Sequence, residues 1–524
     1  MSTATATLDR DDRMPAGIPY IVSNEFAERF CFYGINAILS IYMVQFLQLG
    51  EAQATTWQSL FKSGAYFFPL VGAIVSDVLW GKFRTIIVFS MAYSLGCVVL
   101  ALSSGMLGLA IGLFLIAFGT GGIKPCVSTN VGDQFTSQNQ HLIERAFSWF
   151  YLSINAGALV SILLCPWLLD SSGPRWAFGV PAIAMAVATV AFWLGRNKFA
   201  VVPPAGRQWL REVFSAEGAR LIGRLGIIYL FLAIFWSLFE QANGTTWTLQ
   251  AQSSLMDKDL GFGIVLLPAQ IQFFNPLFIL LLVPLFSYGV YPLLGRFFAV
   301  TPLRKIGIGF FVGAMSFLVI AWIENRIQNG IVTSVWWQIL GYAILTSGEV
   351  LVSVTALEYS YKQAPLRMKS FIMALYLLSL SAGNLLTAFV ANSVIEPLQG
   401  VELRAGEQTT LVVPAGEGFV PGQKIDFGGD TGITVQQAGG KTASLAGTYI
   451  VGEIRDGEAL LLDVVNRKPV VTSGQFKAGA EVSTYKLVGP QFFMFFSYIM
   501  LATGLLWIFV ATRVKEQTFV RQND

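Results

Sequence analysis

Residues 21–48 read IVSNEFAERFCFYGINAILSIYMVQFLQ. The stretch is long enough to cross a bilayer, yet Glu25, Glu28 and Arg29 lie inside it. Their spacings of three and four place them on one face of a helix. A charge at the centre of a membrane helix costs about 2.5–3.5 kcal/mol on insertion scales. Three on one stripe must therefore face partners or a wet cavity.

Composition sets the same scene for the whole chain. Of 524 residues, 54% are hydrophobic and only 12% are charged, about half the charge of a soluble domain. A net charge of +3 is too small to suggest nucleic-acid binding. Further apolar stretches of spanning length lie near 57–79, 84–103, 107–131, 145–169, 176–195, 221–248, 266–292, 303–323, 335–360, 368–394 and 490–512. With 21–48 they make six on each side of a polar break. The organisation expected is an all-α membrane protein of two six-helix bundles, 1–195 and 221–396 plus 487–524, joined by a cytoplasmic linker at 196–220. Such a pair fits a transporter with its site near the midplane. Residues up to Gly17 lack the apolar core and cleavage site of a signal peptide.

Loop charges orient the chain. One alternating set of short loops holds Lys82, Arg84, Arg145, Arg196, Lys198, Arg207, Arg211, Arg220, Arg296, Arg304, Lys305, Lys362, Arg367 and Lys369. The opposite set holds little beyond Arg175, Lys258 and Arg326. Positive charge marks the cytoplasmic side, so both termini are expected there, as an even helix count also requires. The expected location is the inner (plasma) membrane, with lipid around the helices.

Residues 397–486 break the pattern. They are polar and turn-rich, with Gly-Gly at 428–429 and 439–440, and short alternating runs at Thr448–Ile454 and Ala459–Val465 read as strands. A small β-rich domain on the outer side is expected, the competing reading being a poorly ordered loop. It carries none of the charged span residues, so the sequence alone predicts that transport survives its replacement by a short linker.

More charges lie in other spans: Lys124 in the fourth, Glu240 in the seventh and Glu349 in the tenth. A structural ion-pair network is the alternative to a functional site for each. Four carboxylates face two bases. Lys62, near the outer end of the second span, adds a third, or snorkels to water. An odd carboxylate at low dielectric tends to hold a proton, as proton coupling requires. Acids and bases together also suit a zwitterion with a carboxylate at one end and an ammonium at the other. His141 is the only histidine, so no histidine metal cluster or span-buried imidazole switch is possible. Cys31, Cys97, Cys126 and Cys165 lie in apolar runs without metal-ligand spacing and read as buried packers. No nucleophile–base pair or phosphate loop appears, so an enzyme is not expected. Gly119-x-Gly121 follows no strand and reads as helix packing. No cofactor is called for beyond the proton as coupling ion.

Several of these residues form recognisable patterns. Asp77-x3-Gly81-Lys82-x-Arg84 resembles the loop signature of the major facilitator superfamily. Glu25-x2-Glu28-Arg29-Phe30-x2-Tyr33-Gly34 resembles the first-helix signature of the proton-dependent oligopeptide transporters. Gly119-Thr-Gly121-Gly-Ile-Lys124-Pro, continuing to Gly132-Asp133-Gln134, and Phe150-Tyr151-x2-Ile154-Asn155-x-Gly157 are similar to further signatures of that family. Phe239-Glu240-Gln241, Asn275-Pro276 and Glu358-Tyr359-Ser360-Tyr361 fit its second half. The resemblance implies a major facilitator fold and a proton-coupled symporter importing di- and tripeptides. It implies that Arg29 and Lys124 hold the peptide carboxylate and Glu349 faces the amino terminus. Tyr33, Tyr66, Asn155 and Asn275 match binding-cavity positions, and Glu25 and Glu28, beside Arg29, are tied to protons.

Departures from the family matter as well. Asn36 stands where many members carry an arginine that pairs with the acid matching Glu240, so Lys62 becomes the candidate gate partner. Ser59 stands where animal members carry a histidine. The linker has no room for two extra helices, and the β-rich insert sits later than the outer domain of animal members. The alternative functions are a same-fold transporter of nitrate, another anion or a modified peptide, and a non-transporting membrane receptor.

Overall fold

The computed structural model describes residues 13–136, 138–200, 215–363, 369–412, 418–436, 442–455, 457–477 and 480–513. Arg207, Arg211, Arg367 and most of the linker expected at 196–220 lie outside the described residues. The spans appear as α1 (Ile18–Gln45), α2 (Glu51–Ile74), α3 (Lys82–Leu102), α4 (Met106–Asp133), α5 (Ile143–Ser172), α6 (Pro174–Leu194), α7 (Ala216–Ala242), α8 (Phe274–Leu285), α9 (Pro302–Gln328), α10 (Trp336–Glu349), α11 (Lys369–Ser393) and α12 (Pro490–Ala511). Among the described residues, eleven helices are long and apolar enough to cross a membrane. The twelfth, α1, is the one that carries Glu25, Glu28 and Arg29. Large apolar side chains such as Leu107, Leu152, Leu230, Phe389 and Leu505 stand exposed on these helices, as a lipid-facing surface requires.

The helices depart from the expected bounds where polar residues or special turns intervene. α2 begins at Glu51 rather than 57, because the polar run Glu51–Thr56 is helical and packs against the insert instead of crossing apolar space. α7 stops at Ala242, where Gly244 takes φ +88, and a short helix follows at Thr246–Ala251. A Cβ on Gly244 would lie 2.6 Å from Gln58 Nε2, so the turn is tight as well as left-handed. After Glu349 the helix loosens into a π-turn at Val350–Val354 before continuing as Thr355–Gln363. Such bulges are frequent at functional sites.

The chain forms two compact units. The first gathers Met1–Ile35, Phe61–Gly223 and Ala364–Ser381; the second gathers Asn36–Leu60, Arg224–Gln363 and Ala382–Asp524. α1, α2 and α11 each run from one unit into the other. The first unit packs α3 against α4 and α6, and the second packs α9 against α10 and α12.

The insert is a folded β-domain of the second unit. Its strands are β1 (Ile395–Pro397), β2 (Glu402–Arg404), β3 (Thr410–Val412), β4 (Lys424–Gly428), β5 (Ile433–Gln436), β6 (Thr442–Ser444), β7 (Gly447–Arg455), β8 (Glu458–Asp463), β9 (Thr472–Gly474) and β10 (Glu481–Tyr485). One antiparallel sheet has the order β1-β10-β4-β7-β8-β3-β2 and a second the order β9-β5-β6. Both expected strands are present. β8 ends at Asp463, earlier than expected, because that carboxylate accepts the amides of Val465 and Asn466 and turns the chain. Leu411, Ile425, Phe427, Ile433, Leu445, Val451 and Leu461 lie in a separate apolar core, which sets the domain apart from a loop.

Candidate functional site

In the first unit, α1 presents its three charges inward. Glu25 and Glu28 are fully buried, and the Arg29 side chain is 15% exposed. Arg29 Nε lies 2.6 Å from Glu25 Oε1 and 3.3 Å from Glu28 Oε2. Thr120 of α4 donates its hydroxyl to Glu28. One guanidinium therefore serves two carboxylates, and a neighbouring helix supplies a neutral donor to one of them. α5 comes close to this face at Gly157, where a Cβ would lie 3.2 Å from Arg29 Cβ and 2.7 Å from the Phe26 oxygen. A larger residue there would push α5 away from the charged stripe.

Lys124 belongs to the same unit. Its ammonium lies 4.2 Å from the ring centroid of Phe32 on α1 and 4.6 Å from that of Tyr66 on α2. Two aromatic faces thus hold the cation in place. The glycines before it do the packing expected of them. A Cβ on Gly119 would fall 2.7 Å from the Phe89 oxygen, and one on Gly121 would fall 2.2 Å from Phe68 Cβ. Tyr33 sets its ring edge-on to Phe32, centroids 5.7 Å apart. Asn155 turns its amide back to the Tyr151 carbonyl on its own helix at 2.8 Å, and so joins no other predicted residue through that bond. Lys62 does not snorkel: it is buried well inside α2 at 3% exposure, because the helix starts earlier than the hydropathy suggested. Lys82 pairs with Asp133, which joins the loop signature to the end of the α4 signature.

The second unit holds the remaining candidates. Asn275 Nδ2 donates to Glu349 Oε2 at 2.8 Å and to Thr346 Oγ1 at 3.1 Å. α8 therefore holds the α10 carboxylate at the head of the π-turn. Glu240 is buried near the end of α7, beside the Thr245 hydroxyl, which donates to its backbone oxygen at 2.6 Å.

Sequence reasoning missed an amide network in this unit. Asn36 Nδ2 donates to the Asn243 oxygen at 3.4 Å. Gln272 Nε2 donates to the Ala37 oxygen at 3.3 Å and to Thr248 Oγ1 at 3.1 Å. The signal was present in Gln58 and Gln272, uncharged amides placed in or beside apolar spans, but only formal charges were weighed.

The sequence matches the POT family over residues 83–217 and 207–402, which is more than half of the chain. The chain belongs to the POT family. This member is 35% identical to solute carrier family 15 member 2 of Mus musculus over 396 residues, 65% of this chain and 53% of that relative. It is 37% identical to peptide transporter family 1 of Drosophila melanogaster over 363 residues, 60% of this chain and 48% of that one. It spans about half the length of the curated relatives it matches. Among solved structures, the POT family transporter PepTSo superposes with a TM-score of 0.67 at 34% identity, covering 73% of this chain and 90% of the other. A chain described as an auto-inhibited POT family peptide transporter superposes with a TM-score of 0.72 at 26% identity, covering 97% of this chain and 99% of the other. The second match is too long to omit the β-insert. The chain is an integral membrane protein with the major facilitator fold expected from the sequence.

Proposed function

We propose that this chain is a proton-coupled symporter that imports di- and tripeptides by alternating access. The observation that carries the reading is the presence of opposite chemistries in the buried helices of one fold. Arg29 and Lys124 provide fixed cations in the first unit, the latter held between Phe32 and Tyr66. Glu349, held by Asn275, provides an acid in the second. Cations suit a peptide carboxylate and an acid suits its ammonium, whereas nitrate has no use for the acid. Glu25 and Glu28 share Arg29, so a proton on either carboxyl releases the guanidinium for substrate. The names of the relatives support the substrate class, and the loop charges support an inner (plasma) membrane location with both termini cytoplasmic. Tyr33 and Asn155 are assigned to the cavity wall, and Lys62 with Glu240 to a gate.

Uptake of a labelled dipeptide into proteoliposomes, with and without an inward proton gradient, tests this. Accumulation above the external concentration only with the gradient is expected. Gradient-independent uptake, or preference for nitrate or another anion, would overturn the reading.

A further inference from the structure

The insert does more than hang between α11 and α12. It caps the first turn of α2, a helix of the other six-helix set. The first amides of a helix have no partner within it, and here the insert supplies two. The Glu51 amide donates to Thr448 Oγ1 of β7 at 2.8 Å. The Ala52 amide donates to the Tyr485 hydroxyl of β10 at 2.8 Å. Each hydroxyl in turn donates to one oxygen of a single carboxylate: Thr448 to Asp426 Oδ1 at 2.6 Å, and Tyr485 to Asp426 Oδ2 at 3.0 Å. The relay is closed because β4 lies between β7 and β10, with Asp426 opposite Thr448 in one register and Ser483 in the other. Lys424, two residues along β4, pairs with Glu51 Oε2 at 2.5 Å. The fit leaves no slack at Gly50, where a Cβ would lie 2.2 Å from Asp426 Oδ2.

We infer that the insert is a strap on the transport cycle: it holds the insert-side end of α2, and transport requires that end to be released. The inference rests on the alternating-access reading above. In that cycle one helix set rocks against the other around a fixed site. α2 belongs to the first set by sequence, while the insert is tied at both ends to helices of the second. Opening on the insert side therefore separates residues 50–52 from 424–426, 448 and 485. Release leaves two helix amides, two hydroxyls and an ion pair to be satisfied by water, so the strap favours the state in which α2 is held.

A disulfide across the strap tests it. The Asp426 carboxyl carbon lies 2.5 Å from a Cβ built on Gly50, so sulfur at those two positions is within bonding reach in the Gly50→Cys/Asp426→Cys double variant. The native cysteines are all buried, and so are Gly50 and Asp426, so formation of the new bond is scored by counting free thiols after denaturation. The oxidised variant in proteoliposomes is expected to lose at least tenfold in dipeptide uptake, and reduction to restore it. Equal uptake in the oxidised and reduced forms would overturn the strap. A second measurement needs neither the pair to fold nor peptide to be the substrate. Thr55 lines a cavity of about 80 Å³ beside Glu51, Lys424 and Tyr485. In a Thr55→Cys background, Thr448→Val with Tyr485→Phe should raise the rate of maleimide labelling several-fold. An unchanged rate would sink the strap even if peptide uptake is normal. A raised rate would support it even if no peptide is carried.

Discussion

Gln58 Nε2 donates to both the backbone oxygen and the side-chain oxygen of Asn36, each at 3.0 Å. Asn36 occupies the position at which many members of the resembling family carry a charged arginine, so amides rather than an arginine gather here. Gln58 is fully buried. Its replacement by leucine leaves two oxygens without this donor, and an unsatisfied buried polar group costs about 1–3 kcal/mol. Gln58→Leu should lower stability in detergent by roughly that amount and reduce peptide uptake. Unchanged thermal unfolding together with wild-type uptake would show the network to be incidental.

Lys62 and Glu240 are both buried charges in membrane helices, and buried charges at such depth are expensive unless they serve a partner. If they form a gate in the absence of the family arginine, Lys62→Ala and Glu240→Ala should each impair uptake. The double variant should then be little worse than either. Losses that add in full would exclude the pairing.

On the proposed reading, Lys124, seated against Phe32 and Tyr66, takes the peptide carboxylate, and Glu349, held by Asn275, takes the ammonium. Lys124→Ala should weaken uptake of ordinary dipeptides by at least tenfold, and so should Glu349→Ala. A dipeptide amide should bind the wild type poorly and suffer little further from Lys124→Ala. Equal competition by amide and free acid against a labelled peptide would reverse the assignment.

The Asp426 relay also carries a pH dependence. Burial, with Glu51 of α2 adding to it, pushes its carboxyl up from the usual 3.8 to about 6, against the hydrogen bonds from Thr448 and Tyr485 and the ammonium of Lys424. A raised acid stabilises the folded insert when protonated. That contribution is complete below 3.8 and is lost as pH rises through about 6; its ceiling is roughly 3 kcal/mol. Lys424 and Tyr485 keep their protons across this window. Despite burial, the carboxylates of Glu51 and Glu324 hold Lys424 above its usual value, and burial holds the Tyr485 hydroxyl protonated. Protease resistance of the insert in the intact protein should therefore fall between about pH 4 and pH 6.5, and Asp426→Asn should flatten the profile. A wild-type profile already flat over that range would contradict the assignment.

Much of this was legible because membrane burial makes charge rare. Glu25, Glu28, Arg29, Lys124 and Glu349 stood out from apolar text, and each proves to be held by named groups. The insert was legible as strands because its polar–apolar alternation is local. Its docking was not, since the bond from Ala52 to Tyr485 joins residues 433 apart and neither residue looks unusual alone. The start of α2 was missed for the same reason: Glu51–Thr56 is polar text whose first amides are capped from the far end of the chain. Gln58, Asn36 and Gln272 escaped because an amide in a span carries little hydropathy penalty and no formal charge.

Glu25 and Glu28 flank one guanidinium, with Arg29 Nε at 2.6 Å from the first and 3.3 Å from the second. His141 is the only histidine and lies in the short turn before α5, so on the proposed reading a carboxyl carries the coupled proton. A charged glutamate competes with the substrate carboxylate for Arg29, and a protonated one does not. On that reading proton and peptide binding favour each other, as linkage requires. Glutamine imitates the protonated carboxyl but cannot titrate. Thr120 can still donate to the amide oxygen of Glu28→Gln, so its hydrogen bond survives the change. Glu25→Gln or Glu28→Gln should accordingly abolish gradient-driven accumulation while sparing exchange of labelled peptide between equal pools. Should both variants still concentrate peptide with the wild-type dependence on the proton gradient, the coupling carboxyl lies elsewhere, and Glu349, already held by Asn275, becomes the next to replace.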